Sequence, residues 1–261
     1  MSKILNEICD RKKYELEILK SKCSIQTLKK LLPEKKNRKF NKIIELAKIN
    51  KKSNIIAEIK KSSPSAGTII EDYHPEKLAI NYEKAGAGAI SVLTEKFFFK
   101  GNVDHISTIN TKINLPILRK DFIIDEYQIY ESKVYKADAI LLILSILNDD
   151  QVNKYINIAN DIGLDCIIET HNLEEVKRAL KTNYPIIGIN NRNLDTLSMN
   201  KMNCINLIKY IPNNFTVIAE SGIKNQADIE LCNEYGIYNF LIGESLLKSN
   251  DINNKFKLLL K

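Results

Sequence analysis

From residue 54 onward the chain repeats one unit eight times: a short apolar run, then a longer stretch with helical spacing. The apolar runs are Asn54–Lys60, Ala89–Thr94, Pro116–Lys120, Asp138–Leu144, Asp165–Thr170, Pro185–Asn190, Thr216–Glu220 and Tyr238–Gly243. They lack clean polar alternation, as expected for strands covered on both faces in a parallel sheet. The intervening stretches are His74–Ala85, Asn102–Lys112, Asp125–Tyr135, Asp149–Ile162, Leu173–Leu180, Asn200–Ile211, Asn225–Tyr235 and Glu244–Leu260. Asp149, Asn172, Asn200 and Asn225 stand near their starts as N-caps, and Gly86, Gly163 and Gly236 near their ends. Eight successive strand–helix units predict an α/β fold, a (β/α)8 TIM barrel, which takes roughly 250 residues. A chain of 261 residues fits one such barrel. The rival architecture, a doubly wound open sheet, usually carries a Gly-rich dinucleotide loop, and no GxGxxG follows the first strand.

The first fifty residues read differently. Helical spacing runs from Met1 to Lys22, Ser24 is placed to cap a short helix ending near Pro33, and Arg38 to Ile49 forms a third amphipathic stretch. Residues 1–50 are therefore expected to be an N-terminal helical extension and 51–261 the barrel, within one structural domain.

Several function classes drop out. No stretch of about 18 uninterrupted apolar residues exists, so no membrane span is expected. The charged start lacks the apolar core of a signal peptide, which makes the cytoplasm the expected compartment. The five cysteines form no CxxC pair and are read as buried or inert thiols. The net charge of +7 suits nucleic acid or an anionic small molecule. The densest basic run, Lys29 to Lys39, has no interleaved aromatics and no nucleic-acid-binding motif, so the small molecule is preferred. His74, His105 and His171 are isolated and lack ligand spacing, so no metal is expected.

In a (β/α)8 barrel the chemistry sits at the C-terminal ends of the strands. Glu58 and Lys60 are two residues apart at the end of the first strand and point the same way. Lys120 ends the third strand and Glu169 lies near the end of the fifth. Four charged groups on one rim can supply an acid and a base, although spacing does not say which group gives the proton. Ser221-Gly222 and Gly243-Glu244 follow the last two strands, where such barrels commonly cradle phosphate with backbone N–H groups. The Glu244 carboxylate would repel an anion, so only its N–H is expected to face one. Phe97-Phe98-Phe99 follows the second strand and Phe122 follows Lys120, offering a surface on which an aromatic ring could stack.

Taken together, the segments AEIKKSSPS (57–65), SVLTEKFFFKG (91–101), PILRKDFIID (116–125), DAILLIL (138–144), IGINNRNL (187–194), AESGI (219–223) and FLIGESLL (240–247) resemble the indole-3-glycerol phosphate synthase family. The resemblance implies ring closure of 1-(2-carboxyphenylamino)-1-deoxyribulose 5-phosphate, with loss of carbon dioxide and water and without metal or organic cofactor. It implies Lys120 as general acid at the substrate carbonyl and Glu169 as base or as stabiliser of the cationic intermediate. Glu58 and Lys60 would orient the substrate and serve in dehydration. Asn190 and Ser221 would hydrogen-bond the reacting region, and Arg192 and Ser63 would serve the aryl carboxylate. Phe99, Phe122, Leu141, Ile143, Leu194 and Leu197 would wall the aryl ring, while Ser221, Gly222, Gly243 and Glu244 would frame the phosphate. No substrate contact is assigned to the N-terminal helices. The implied partner is the small phosphorylated substrate, not nucleic acid or membrane, in a monomer or weak homo-oligomer. Two alternatives stand beside this: phosphoribosylanthranilate isomerase, which often has a Cys at the end of the first strand, where this chain has Glu58 and Lys60, and a silent barrel acting as a scaffold.

Overall fold

The computed structural model describes residues 3–34, 39–194 and 196–261. Eight parallel strands close into a barrel: β1 (Asn54–Ile59), β2 (Ala89–Leu93), β3 (Ile117–Lys120), β4 (Ala139–Ile143), β5 (Asp165–Thr170), β6 (Ile186–Asn190), β7 (Thr216–Glu220) and β8 (Asn239–Ile242). Each pairs with its chain neighbours and β1 pairs with β8, so the sheet has no edge. Every apolar run expected to be a strand is one, to within a residue or two at its ends. A two-residue ladder, Ser62–Ser63 against Gly67–Thr68, folds the first loop into a flap beside the mouth.

The outer ring consists of α4 (Pro75–Ala85), α5 (Asp104–Asn110), α6 (Glu126–Val134), α7 (Asp149–Ile162), α8 (Leu173–Lys181), α9 (Asn203–Ile208), α10 (Gln226–Glu234), α11 (Glu244–Leu247) and α12 (Ile252–Leu260). The caps act locally. Asn148, Asn172 and Asn225 accept the third backbone N–H of α7, α8 and α10. Three expectations are corrected here. Asp149 is the first helical residue, with Asn148 as its cap, and Asn200 lies upstream of α9 and accepts from Met202 N–H. The single helix expected over Glu244–Leu260 is broken, because Asp251 accepts Asn254 N–H and starts a new helix. The new direction lets Phe256 meet Tyr82 of α4 at 6.0 Å between ring centroids, which joins the ends of the helical ring.

Three helices precede the barrel: α1 (Lys3–Lys22), α2 (Ile25–Lys30), which Ser24 caps as expected, and α3 (Phe40–Ile49). The expected starts at Met1 and Arg38 lie outside the described residues, as does part of the basic run. Helix α3 covers the N-terminal face of the barrel, burying Phe40, Ile44 and Ala47. Its Ile44 carbonyl accepts from Asn239 Nδ2, and its Asn41 N–H donates to Asp165. Helix α1 crosses to the opposite face. Its Lys12 pairs with Asp121 at 3.1 Å and its Lys20 with Asp125 at 2.7 Å.

Candidate active site

A cavity of about 630 Å³ opens at the C-terminal ends of the strands. Glu58 and Lys60 come from β1 and the turn after it, Ser63 from the flap, Lys120 and Phe122 from β3 and its loop, and Glu169 from β5. Leu141 and Ile143 come from β4, and Asn190 ends β6. Phe99, Arg192, Leu194, Leu197, Ser221, Gly222, Gly243 and Glu244 come from the loops and turns at the same end. Every site residue expected from sequence therefore borders one space. The N-terminal helix also reaches it, through Ile4, Leu5 and Ile8. The sequence assigned no substrate contact to this extension, and the structure brings its first helix to the edge of the cavity. The apolar spacing of α1 was legible, but its destination depends on the tertiary anchor at Lys12.

The charged groups interlock. Glu58 pairs with Lys60, and Lys120 Nζ lies 2.6 Å from Glu220 and 3.5 Å from Glu169. Burial alone would push the Lys120 ammonium down, but Glu220, Glu169 and Glu58 outweigh it and hold its pKa well above the usual lysine range. Burial pushes the Glu58 carboxyl up, yet Lys60 and Lys120 bring it below its ordinary value. Glu169 is likewise raised by burial and then carried below the carboxylate range by Lys120 and His171. Glu220 goes the other way: burial dominates, Lys120 only partly offsets it, and its pKa reaches about 8. The site thus joins a firmly charged ammonium to two buried carboxyl groups, Glu169 and Glu220, whose pKa values are pushed in opposite directions. Asn190 Nδ2 donates to Glu169 at 3.3 Å, while Asn190 Oδ1 accepts Arg192 N–H at 3.0 Å.

The apolar wall has its own support. Phe99 and Phe122 meet at 6.2 Å between ring centroids. The triple-Phe turn is held by Glu95, whose carboxylate accepts the backbone N–H groups of Phe97, Phe98 and Phe99 at 2.9, 2.7 and 2.9 Å. On the opposite side, Ser221 and Gly222 take left-handed backbone angles, φ 65° and 84°. The Glu244 side chain is drawn to Lys248 at 2.6 Å. That contact engages the carboxylate that seemed awkward beside an anion. Among the described residues, no group of three or more His, Cys, Asp or Glu side chains is placed to hold a metal ion.

The family model for indole-3-glycerol phosphate synthase matches residues 5–259. The chain belongs to this family. Its relatives include the indole-3-glycerol phosphate synthases of Acetivibrio thermocellus, 43% identical with 97% of this chain and 98% of the relative covered. That of Thermoanaerobacter pseudethanolicus is 45% identical, covering 95% and 94%. That of Campylobacter jejuni subsp. doylei is 41% identical, covering 98% and 100%. Among solved structures, thiamine phosphate pyrophosphorylase from Pyrococcus furiosus aligns with TM-score 0.58 over 80% of this chain and 94% of that one, at 13% identity, a likeness of fold alone. This member of the indole-3-glycerol phosphate synthase family is a lyase of tryptophan biosynthesis.

Among the residues that support the site from behind its lining, three were not singled out from sequence. Glu220 was visible as a strand end, but its partner Lys120 lies a hundred positions away, beyond any local spacing rule. Glu95 was visible as an acid after β2, with nothing to show that its carboxylate turns back on the following backbone. Gly188 carried the best signal, a glycine in the middle of a strand, which often marks a close approach. A Cβ there would stand 2.3 Å from Glu220 Oε1. Gly188→Ala is expected to displace the Glu220 carboxyl from Lys120 and lower kcat by about tenfold or more, with a smaller change in KM. Steady-state kinetics of that variant check it, and an unchanged kcat would remove Glu220 from the working geometry. Gly243 has a similar role beyond the expected phosphate turn, since a Cβ there would stand 2.3 Å from Glu58 Oε1.

Proposed function

We propose that the chain closes the indole ring of 1-(2-carboxyphenylamino)-1-deoxyribulose 5-phosphate, releasing carbon dioxide and water and giving indole-3-glycerol phosphate. The observation that carries this reading is Lys120, held as an ammonium between Glu169 and Glu220 at the bottom of a mouth with an aromatic wall. Lys120 donates its proton to the ketose oxygen while the ring carbon bearing the carboxylate attacks the carbonyl carbon. Loss of carbon dioxide then restores the aromatic ring. Glu169 faces the transient positive charge and serves as base. The Glu58–Lys60 pair assists departure of the hydroxyl group as water and removal of the accompanying proton.

Asn190 and Ser221 hydrogen-bond the reacting region. Arg192 serves the aryl carboxylate, and its guanidinium is steadied by the Leu197 carbonyl at 3.2 Å. Ser63 orders the flap by accepting Ala66 N–H and stands beside the same carboxylate. Phe99, Phe122, Leu141, Ile143, Leu194 and Leu197 hold the aryl ring. The turns at Ser221-Gly222 and Gly243-Glu244 hold the phosphate by backbone N–H groups. The helical extension (1–50) and the barrel (51–261) act as one structural domain. The protein works in the cytoplasm as a monomer or weak homo-oligomer, without cofactor and without a nucleic-acid or membrane partner.

The test is to add the carboxyphenylamino-deoxyribulose phosphate and follow indole fluorescence. The chain contains no Trp, so the product signal rises over little protein indole background. A rise with release of carbon dioxide is the expected result. Binding of the substrate without product would overturn the reading in favour of a silent barrel.

A further inference from the structure

One largely buried ionisable side chain next to the site plays no part in these steps. His171 follows β5 and does not border the cavity. Its ring sits between two carboxylates: Nδ1 hydrogen-bonds Glu175 Oε2 at 3.1 Å, and Nε2 lies 3.1 Å from Glu169 Oε1 as an ion-pair contact without hydrogen-bond geometry. Glu175, in the first turn of α8, also accepts the His171 backbone N–H at 2.8 Å and is held by Asn172 Nδ2 at 3.0 Å. The His171 carbonyl accepts from Asn203 Nδ2 of α9, which also donates to the Asn190 carbonyl. The ring, the loop that carries it and the end of β6 are thus joined into one frame around Glu169.

That frame distinguishes two otherwise similar acids. Glu169 and Glu220 are both buried, and both face Lys120. Glu169 Oε1 also has Asn190 and His171 beside it, whereas Glu220 Oε1 has no hydrogen-bond partner among the described residues. We propose that His171 is a positioning residue: held as an imidazolium between Glu175 and Glu169, it keeps Glu169 aimed and ionised beside Lys120.

The charged groups facing this pair are Lys120 from β3, Glu58 from β1 and His171 behind Glu169; those facing His171 are Glu169 and Glu175. Their balance agrees with the geometry. Burial alone would push the imidazole down, but Glu169 and Glu175 outweigh it and carry its pKa to about 10. The inference rests on the role proposed for Glu169, so its test has an arm that does not need turnover.

The chain has three histidines, which makes the His171 ring separable by nitrogen-15 NMR. In the intact protein it is expected to stay doubly protonated well past neutral pH; titration near the ordinary value of about 6.5 would overturn the proposal. His171→Gln is expected to lower kcat at pH 7 by about tenfold, leave KM within about twofold, and move the acid limb of the kcat profile up by about one pH unit. Glu175→Gln, whose side chain stays outside the cavity, is expected to move that limb the same way by less. An acid limb that stays put in both variants would sink the idea, even with kcat reduced. Should His171→Gln fail to fold, Glu175→Gln and the NMR titration decide alone. An intact enzyme that makes no indole product but keeps a protonated His171 would refute the proposed reaction and leave the clamp standing.

Discussion

Lys120→Met is expected to lower kcat by about three orders of magnitude, within the range that a positioned general acid supplies. Methionine fills much of the same volume but cannot deliver a proton to the substrate oxygen. The fold is expected to survive, for an electrostatic reason. Removing one partner of a buried ion pair commonly costs about 3–5 kcal/mol, because a bare charge is left behind. Here burial already raises the Glu220 pKa, and losing the ammonium pushes it further up, so Glu220 can take up a proton instead of remaining a bare charge. Glu169 keeps Asn190 and His171 beside it. The stability loss should therefore fall below the usual figure for a stripped pair. Indole fluorescence for kcat, together with a circular dichroism melt, checks both halves. A kcat within tenfold of the parent would end the general-acid role of Lys120.

The residue before it should behave in the opposite way. Arg119 is buried on the far side of β3 and is fully engaged. Its guanidinium lies 2.8 Å from Glu131 and 3.2 Å from Asp121, and donates to Thr94, Ser132 and the Gln128 carbonyl. Arg119→Leu leaves two buried carboxylates short of a partner and is expected to cost about 3–5 kcal/mol. For a chain of this size that lowers the melting temperature by roughly 10 °C. The pH dependence has a definite sign. Burial raises the Asp121 pKa, but Lys12 and Arg119 outweigh it and hold it below its ordinary 3.8. A depressed carboxylate stabilises the fold above its unfolded pKa, and that contribution is lost as pH falls through the folded value. The gap between parent and variant should accordingly narrow on acidification. Melts at neutral and acidic pH check this, and a neutral-pH difference under about 2 °C would show that the network contributes little.

The barrel was legible because strands covered on both faces leave uninterrupted apolar runs. Each run ends where the chain turns polar at the mouth. The same logic exposed Glu58, Lys60, Lys120, Glu169 and Asn190, since charged or amide groups at the ends of apolar strands stand out. What stayed hidden depends on closure. Glu220 acquires meaning only when β7 faces Lys120 across the barrel. His171 looked isolated because its second partner, Glu175, belongs to the following helix turn. The break between α11 and α12 comes from Asp251, which caps a new helix that packs against α4 where the helical pattern had been read as continuous. The place of α1 over the mouth depends on a salt bridge to Asp121, more than a hundred residues away.

Arg119 and Lys120 are consecutive residues on one strand, and successive side chains of a strand face opposite sides. One points out to the scaffold and the other in to the mouth. Sliding β3 by a single residue would exchange them. A compact amino group would then meet a pocket shaped for a planar fork of five N–H donors, and a guanidinium would stand where a transferable proton is needed. The outer network is therefore a keyed fit that admits one register of β3. It indexes the Lys120 amino group from behind, so the placement of the proposed acid depends on residues packed outside the barrel wall.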